Sequence, residues 1–153
     1  MRKVLLTGAT GVMGRQGIDC LVNSDFNLAI RVLARPSSKN RRFLLPYQRK
    51  GVEVVWGDLA VYEDVKRAVD NIDIVLHVGG MVSPLADMMP KATVRINVAA
   101  MRNIVNAIEA LSQKETTAVV YIGSVAQYGG KYLDNPWGEA ADSLNAALFD
   151  AYA

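Results

Sequence analysis

Three glycines at three-residue spacing constrain this chain more than any other feature. In Thr7-Gly8-Ala9-Thr10-Gly11-Val12-Met13-Gly14 they follow the apolar run of residues 4–7 and precede a segment of helical character. A backbone that turns tightly out of a strand, comes close to an anion and packs a helix back on that strand needs side-chain-free positions at those points. Gly8 serves the turn, Gly11 the close approach and Gly14 the helix-on-strand contact, while the amide groups near Val12 and Met13 face a phosphate. A dinucleotide pyrophosphate is the expected ligand. The same spacing also fits a tight strand-to-helix turn that binds nothing. The alternative phosphate cradle, GxxxxGK with a following Ser or Thr, is absent because Arg15 and Gln16 come after Gly14, which disfavours an ATPase or GTPase.

Four more apolar runs occupy residues 28–34, 52–56, 72–77 and 118–122. Each is nearly continuous in Val, Ile, Leu or Ala, the pattern of parallel strands covered on both faces. Between them the periodicity is helical: Met101, Ile104, Val105, Ile108 and Leu111 recur at three- and four-residue steps, and Val65, Ala68 and Val69 oppose Asp64, Lys66, Arg67 and Asp70. Strand and helix alternate from the first residue, so a doubly wound α/β parallel sheet of Rossmann-like kind is predicted, as one domain over residues 1–153. Loops follow the second strand at residues 36–40, the fourth at 81–90 and the fifth at 128–138. These are the carboxyl ends of strands, where an open parallel sheet binds its ligand.

Composition limits the remaining classes. No apolar run approaches the roughly 20 residues of a membrane span, and the basic-then-apolar start ends at Thr7-Gly8, too short for a signal-peptide core. One cysteine and one histidine make a structural metal site unexpected, and the cytoplasm is the expected compartment. Cys20, inside the first predicted helix, is expected in the core, and His77 is expected to pack at a strand end. The net charge of +2 conceals a local cluster: Arg31, Arg35, Lys39, Arg41, Arg42, Arg49 and Lys50. Such a cluster suits one anionic ligand better than a nucleic-acid surface. An acidic residue at the end of the second strand binds the ribose 2′-OH in NAD-selective sites; here that place holds Arg35, whose guanidinium favours the 2′-phosphate of NADP, with NAD the other candidate. A merely solvated loop is the alternative reading of these arginines.

With these residues assembled, the sequence resembles the extended short-chain dehydrogenase/reductase family, which includes NAD(P)-dependent epimerases and dehydratases of nucleotide sugars. The glycine turn resembles the family's cofactor turn, and Gly57-Asp58-Leu59 the segment that contacts adenine. Leu76-His77-Val78-Gly79-Gly80 resembles the small-residue stretch beneath the cofactor. Ile96-Asn97-Val98 with Asn103 resembles its Asn-Val…Asn helix, and residues 121–129 the segment carrying its catalytic Ser or Thr, here Ser124. The resemblance implies cofactor contacts by Gly79, Gly80, Asn97, Asp58 and Leu59. Read without it, Asp58 caps the next helix, Gly79-Gly80 is a flexible turn, Asn97 is satisfied by a neighbouring backbone and Ser124 is a turn residue.

Phe149-Asp150-Ala151-Tyr152-Ala153 resembles the start of the family's Tyr-Ala-x-Ser-Lys sequence, which makes Tyr152 the expected proton-exchanging phenol; a terminal aromatic is the alternative. The partner lysine falls beyond Ala153. On this alignment the chain is the N-terminal, cofactor-binding part of an oxidoreductase, epimerase or dehydratase, apparently truncated after the fifth strand and without the later strands and substrate region. An unassisted tyrosine keeps a pKa of about 10, so the chain alone is expected to be a poor catalyst. The implied substrate of the full-length parent is a sugar nucleotide or a small carbonyl or alcohol compound, with a homodimer as a further expectation. The competing expectation is a non-catalytic NADP-binding sensor. No nucleic-acid or membrane partner is expected.

Overall fold

A strand that leaves the sheet at Gly8 begins the architecture. The computed structural model describes residues 1–124, in which β1 (Arg2–Thr7), α1 (Val12–Val22), β2 (Leu28–Ala34), α2 (Ser38–Arg49) and β3 (Glu53–Trp56) form the first half. The chain continues through α3 (Tyr62–Val69), β4 (Ile74–His77), α4 (Leu85–Met88), α5 (Pro90–Ala110) and β5 (Ala118–Tyr121). All neighbouring strands pair in parallel, in the order β3-β2-β1-β4-β5. The predicted doubly wound sheet is therefore the observed one. After β1 the chain builds outward on one side through β2 and β3, then crosses to place β4 on the other. The connections leaving β1 and β4 diverge, which opens a crevice at the carboxyl end of this pair.

Alternation of side chains along each strand feeds two cores. On one face Leu5, Leu33 and Val75 pack with Val65, Ala68 and Val69 of α3 and Ile104, Ala107 and Ile108 of α5. On the other, Leu6 and Val32 pack with Ile18 of α1 and Leu44 of α2. Interior strands are buried on both faces, as the continuous apolar runs predict. The expectation fails for β5, where every position is exposed and only β4 lies alongside among the described residues.

Local chemistry sets the element ends. Ser37 caps α2, its hydroxyl accepting the Asn40 N–H at 3.1 Å, so the loop expected over 36–40 yields most of its length to helix. Pro46 sits inside α2, which ends three residues later at Arg49. In α3, Glu63 and Asp64 occupy the first turn and Lys66 and Arg67 the last, each sign matching the helix dipole. The loop expected over 81–90 contains α4, and α5 starts with Pro90 in its first turn.

Two expectations are corrected. Cys20 is exposed, because the inward face of α1 is set by Gly14 and Ile18, and position 20 turns away from it. Arg31 does not join the cluster beyond β2. Its guanidinium donates to Glu53 at 2.8 Å and to the carbonyls of Ala68 and Asp70 at 3.0 and 2.7 Å, fastening β2 to β3 and to the end of α3.

Candidate functional site

The glycine turn has the geometry its spacing predicts. Gly8 has φ +75, a left-handed conformation, and a Cβ there would lie 2.6 Å from the Gly79 Cα. The turn is thus pressed backbone to backbone against the continuation of β4. A Cβ on Gly14 would lie 2.0 Å from the Gly8 carbonyl oxygen, so α1 can seat on the turn only with glycine there. Around Gly11 the space is more open, the nearest atom to such a Cβ being the same oxygen at 3.3 Å. Gly11 is the N-cap of α1 and supplies no side-chain cap. The first-turn amide groups at Val12, Met13 and Gly14 have no intrahelical acceptor, and Val12 is 90% exposed. This combination of open space, uncapped amides and a helix dipole suits an anion.

Two asparagines on α5 fasten the flanking loops. Asn97 Nδ2 donates to the Met81 carbonyl at 3.1 Å and its Oδ1 accepts the Met81 N–H at 2.8 Å. A Cβ on Gly80 would meet that Oδ1 at 3.2 Å, which explains the small residue there. Asn103 Nδ2 donates to the Leu59 carbonyl at 2.9 Å. Leu59 in turn lies against Gly79, whose added Cβ would be 2.7 Å from the Leu59 Cδ1. The segments after β3 and β4 are therefore held by one helix and packed on each other.

Asp58 closes a local turn, its Oδ1 accepting the Ala60 N–H at 2.9 Å. It does not cap α3, whose N-cap is Val61. The Asp64 carboxylate accepts the Asp58 N–H at 2.9 Å and pairs with Arg67; that backbone bond, aided by Arg67, holds the carboxyl below its ordinary pKa. Spacing of the sequence marks Asp64 only as a polar helix position, and its structural task is visible only when the loop is seen.

Beyond β2 the basic residues separate by role. Arg35 is exposed, and among the described residues its guanidinium has no ion pair; its carbonyl accepts from Asn40 Nδ2 at 2.8 Å. Arg41 lies over the Trp56 ring at 4.5 Å, and Arg15 over Phe43 at 4.3 Å while Arg15 Nε donates to the Thr10 carbonyl at 3.2 Å. Ser124 is half-buried just past the carboxyl end of β5. Tyr152 lies outside the described residues. Among the described residues no cluster of His, Cys, Asp or Glu is arranged to hold a metal, and no helix is long and apolar enough to cross a membrane.

From the sequence, Thr7 is only the first residue of the turn motif and His77 only a packed strand-end residue. The structure brings them together under the turn, with Thr7 Oγ1 2.7 Å from His77 Nδ1 and accepting the Gly79 N–H at 3.3 Å. Seventy positions of sequence separate them, and only the β1–β4 pairing makes them neighbours. An apolar cavity lined by Val4, Leu21, Phe26, Leu28, Ile74 and Leu76 lies toward the amino ends of the strands.

Comparison with known proteins bears on the fold and the family. The chain is 23% identical over 131 residues to a UDP-glucose 4-epimerase of Rickettsia massiliae, covering 83% of this chain and 38% of that protein. Its fold matches a UDP-Glc/GlcNAc 4-epimerase of Campylobacter jejuni with a TM-score of 0.79 at 16% identity, over 96% of this chain and 44% of the other. A short-chain dehydrogenase/reductase superfamily protein of Agrobacterium tumefaciens, solved with bound NAD, matches with a TM-score of 0.71 at 20% identity, over 98% and 41% of the two chains. The chain spans about two fifths of the length of these relatives. The model of the NAD dependent epimerase/dehydratase family matches residues 4–153, nearly the whole sequence, and this chain belongs to that family.

Proposed function

We propose that the glycine turn holds the pyrophosphate of a nicotinamide dinucleotide, and that the protein is an NAD(P)-dependent epimerase, dehydratase or reductase acting on a sugar nucleotide or a small carbonyl or alcohol substrate. The observation that carries this reading is the turn itself: uncapped α1 amides beside Gly11, held in place by the Gly8–Gly79 and Gly14–Gly8 contacts. The bound NAD of the Agrobacterium protein and the UDP-sugar substrates of the two named epimerases support the same class.

In this reading the adenine end lies near Asp58 and Leu59, and the nicotinamide end near Gly79, Gly80 and Asn97. When bound, the nicotinamide supplies hydride acceptance and donation. Ser124 holds the substrate oxygen and Tyr152 exchanges the proton. Arg35, exposed just past β2 and without an ion pair among the described residues, selects NADP over NAD by meeting the 2′-phosphate. The chemistry is assigned to the cytoplasm, where the exposed Cys20 thiol stays reduced. Self-association runs along α5, where Val94, Val98 and Val105 form an exposed apolar stripe.

Fluorescence titration of NADPH and NADH tests the assignment. NADPH is expected to bind at least tenfold tighter, the worth of about one charge-assisted contact or roughly 1.4 kcal/mol. Arg35→Asp should remove or reverse that preference. Equal or tighter binding of NADH by the unaltered chain contradicts the role given to Arg35.

A further inference from the structure

The carboxyl ends of β1 and β4 meet at a buried hydroxyl–imidazole pair. Thr7 and His77 are directly paired in the sheet register, and Tyr121 of β5 pairs with His77 on its other side. Thr7 is fully buried and His77 is 3% exposed. Each lies immediately before a part of the nucleotide turn: Gly8 follows Thr7, and Gly79 stands two residues past His77. Thr7 Oγ1 accepts the Gly79 N–H, and Gly79 is the backbone against which Gly8 is pressed. One hydroxyl thus ties together the two loops that form the crevice.

That hydroxyl has one proton and two lone pairs. With His77 neutral and its proton on Nε2, Nδ1 accepts the Thr7 O–H while Oγ1 accepts from Gly79. Every group of the pair facing the turn is then satisfied; the tautomer is assigned from this bonding pattern. Protonation turns Nδ1 into a donor, which drives the hydroxyl proton away from the ring in a place without water access. It also sets a positive charge in a buried site. Among the described residues no carboxylate is bonded to the ring to compensate that charge. The ring stacks on Tyr121 at 5.9 Å between centroids. His77 and Thr7 alternate onto the same sheet face as Val75 and Leu5, which α3 and α5 cover. The charged groups of those helices are Glu63, Asp64, Lys66 and Arg67, and Lys91, Arg95, Arg102 and Glu109. Those of α5 are all exposed, and Asp64 is engaged by Asp58 and Arg67.

We propose that His77, acting through the Thr7 hydroxyl, is a positioning residue that holds the glycine turn in its binding shape only while the imidazole is neutral. This rests on the reading that the turn binds a dinucleotide. The same burial lowers the His77 pKa, in line with a neutral ring at ordinary pH. Because the closed turn prefers neutral His77, dinucleotide and proton compete, and acidification weakens binding by linkage.

The chain contains a single histidine, so its imidazole resonances report on His77 alone. NMR at neutral pH should find the neutral, Nε2-protonated tautomer. Calorimetric titration of the full chain with NAD⁺ from about pH 7.5 to about pH 5 should show affinity level above the ordinary histidine pKa of about 6.5 and falling below it, with a slope no steeper than tenfold per pH unit. NAD⁺ is chosen because the 2′-phosphate of NADP itself titrates near a pH of about 6. His77→Gln should bind with one affinity across the range. Thr7→Ser, which keeps the hydroxyl, should retain the slope, and Thr7→Val should lose it; this second pair decides the matter if His77→Gln does not fold by circular dichroism. Parallel profiles for the unaltered chain and His77→Gln, or for Thr7→Ser and Thr7→Val, overturn the proposal. Binding that is flat with pH overturns it alone, whereas no binding at any pH overturns the dinucleotide reading together with it.

Discussion

Glycine carries different burdens at neighbouring positions of this chain, and the differences are measurable. At Gly14 an added methyl would sit 2.0 Å from the Gly8 oxygen, whereas at Gly17, one turn further along α1, it would make ordinary contact with Leu6 at 3.8 Å. Gly14→Ala must push α1 off the turn and should cost about 1–3 kcal/mol with loss of nucleotide binding. Gly17→Ala replaces a flexible helix position and should stabilise by about 0.5–1 kcal/mol. Denaturant unfolding of both variants checks the pair; equal effects would contradict the packing assigned to Gly14. Such residue roles were legible where a backbone requirement repeats at short spacing, as in the turn. They were hidden where a partner is far away in sequence: Arg31 reads as part of a basic cluster until Glu53 is found beside it, and His77 reads as packing until β1 and β4 pair.

Among the elements, α5 does two jobs that blur its sequence pattern. Its buried face is Thr93, Ala100, Ile104, Ala107 and Ile108, and the apolar repeat is plain only from Met101 onward. Before that point Asn97 turns to the Met81 backbone, and within the repeat Asn103 turns to Leu59, so polar residues interrupt the face that periodicity would reveal. The start at Pro90 was therefore not legible from spacing. Val94, Val98 and Val105 remain on the outside, and they are the stripe proposed for self-association. Light scattering should find a dimer for the unaltered chain and a monomer for Val98→Glu. Because Val98 is exposed in the protomer, the variant's unfolding free energy should stay within about 0.5 kcal/mol. A monomeric unaltered chain contradicts this role for α5.

At the level of the whole molecule, strand order does what no single residue can. Continuous apolar runs alternating with helical periodicity made the doubly wound sheet legible, because a parallel strand buried on both faces leaves that signature. The exposed β5 shows its limit: an apolar run reports a tendency to be buried, and position in the sheet decides the outcome. The order β3-β2-β1-β4-β5 brings the glycine turn, Gly79, Leu59 and Asn97 to one crevice from four parts of the sequence. Under the proposed function this crevice receives a nicotinamide dinucleotide. Amide NMR spectra recorded as NADPH is added test it most directly. The largest shifts are expected on residues 8–14 and on Gly79, Gly80 and Leu59; shifts centred instead on the apolar cavity around Phe26 and Leu28, or no shifts at all, would contradict it.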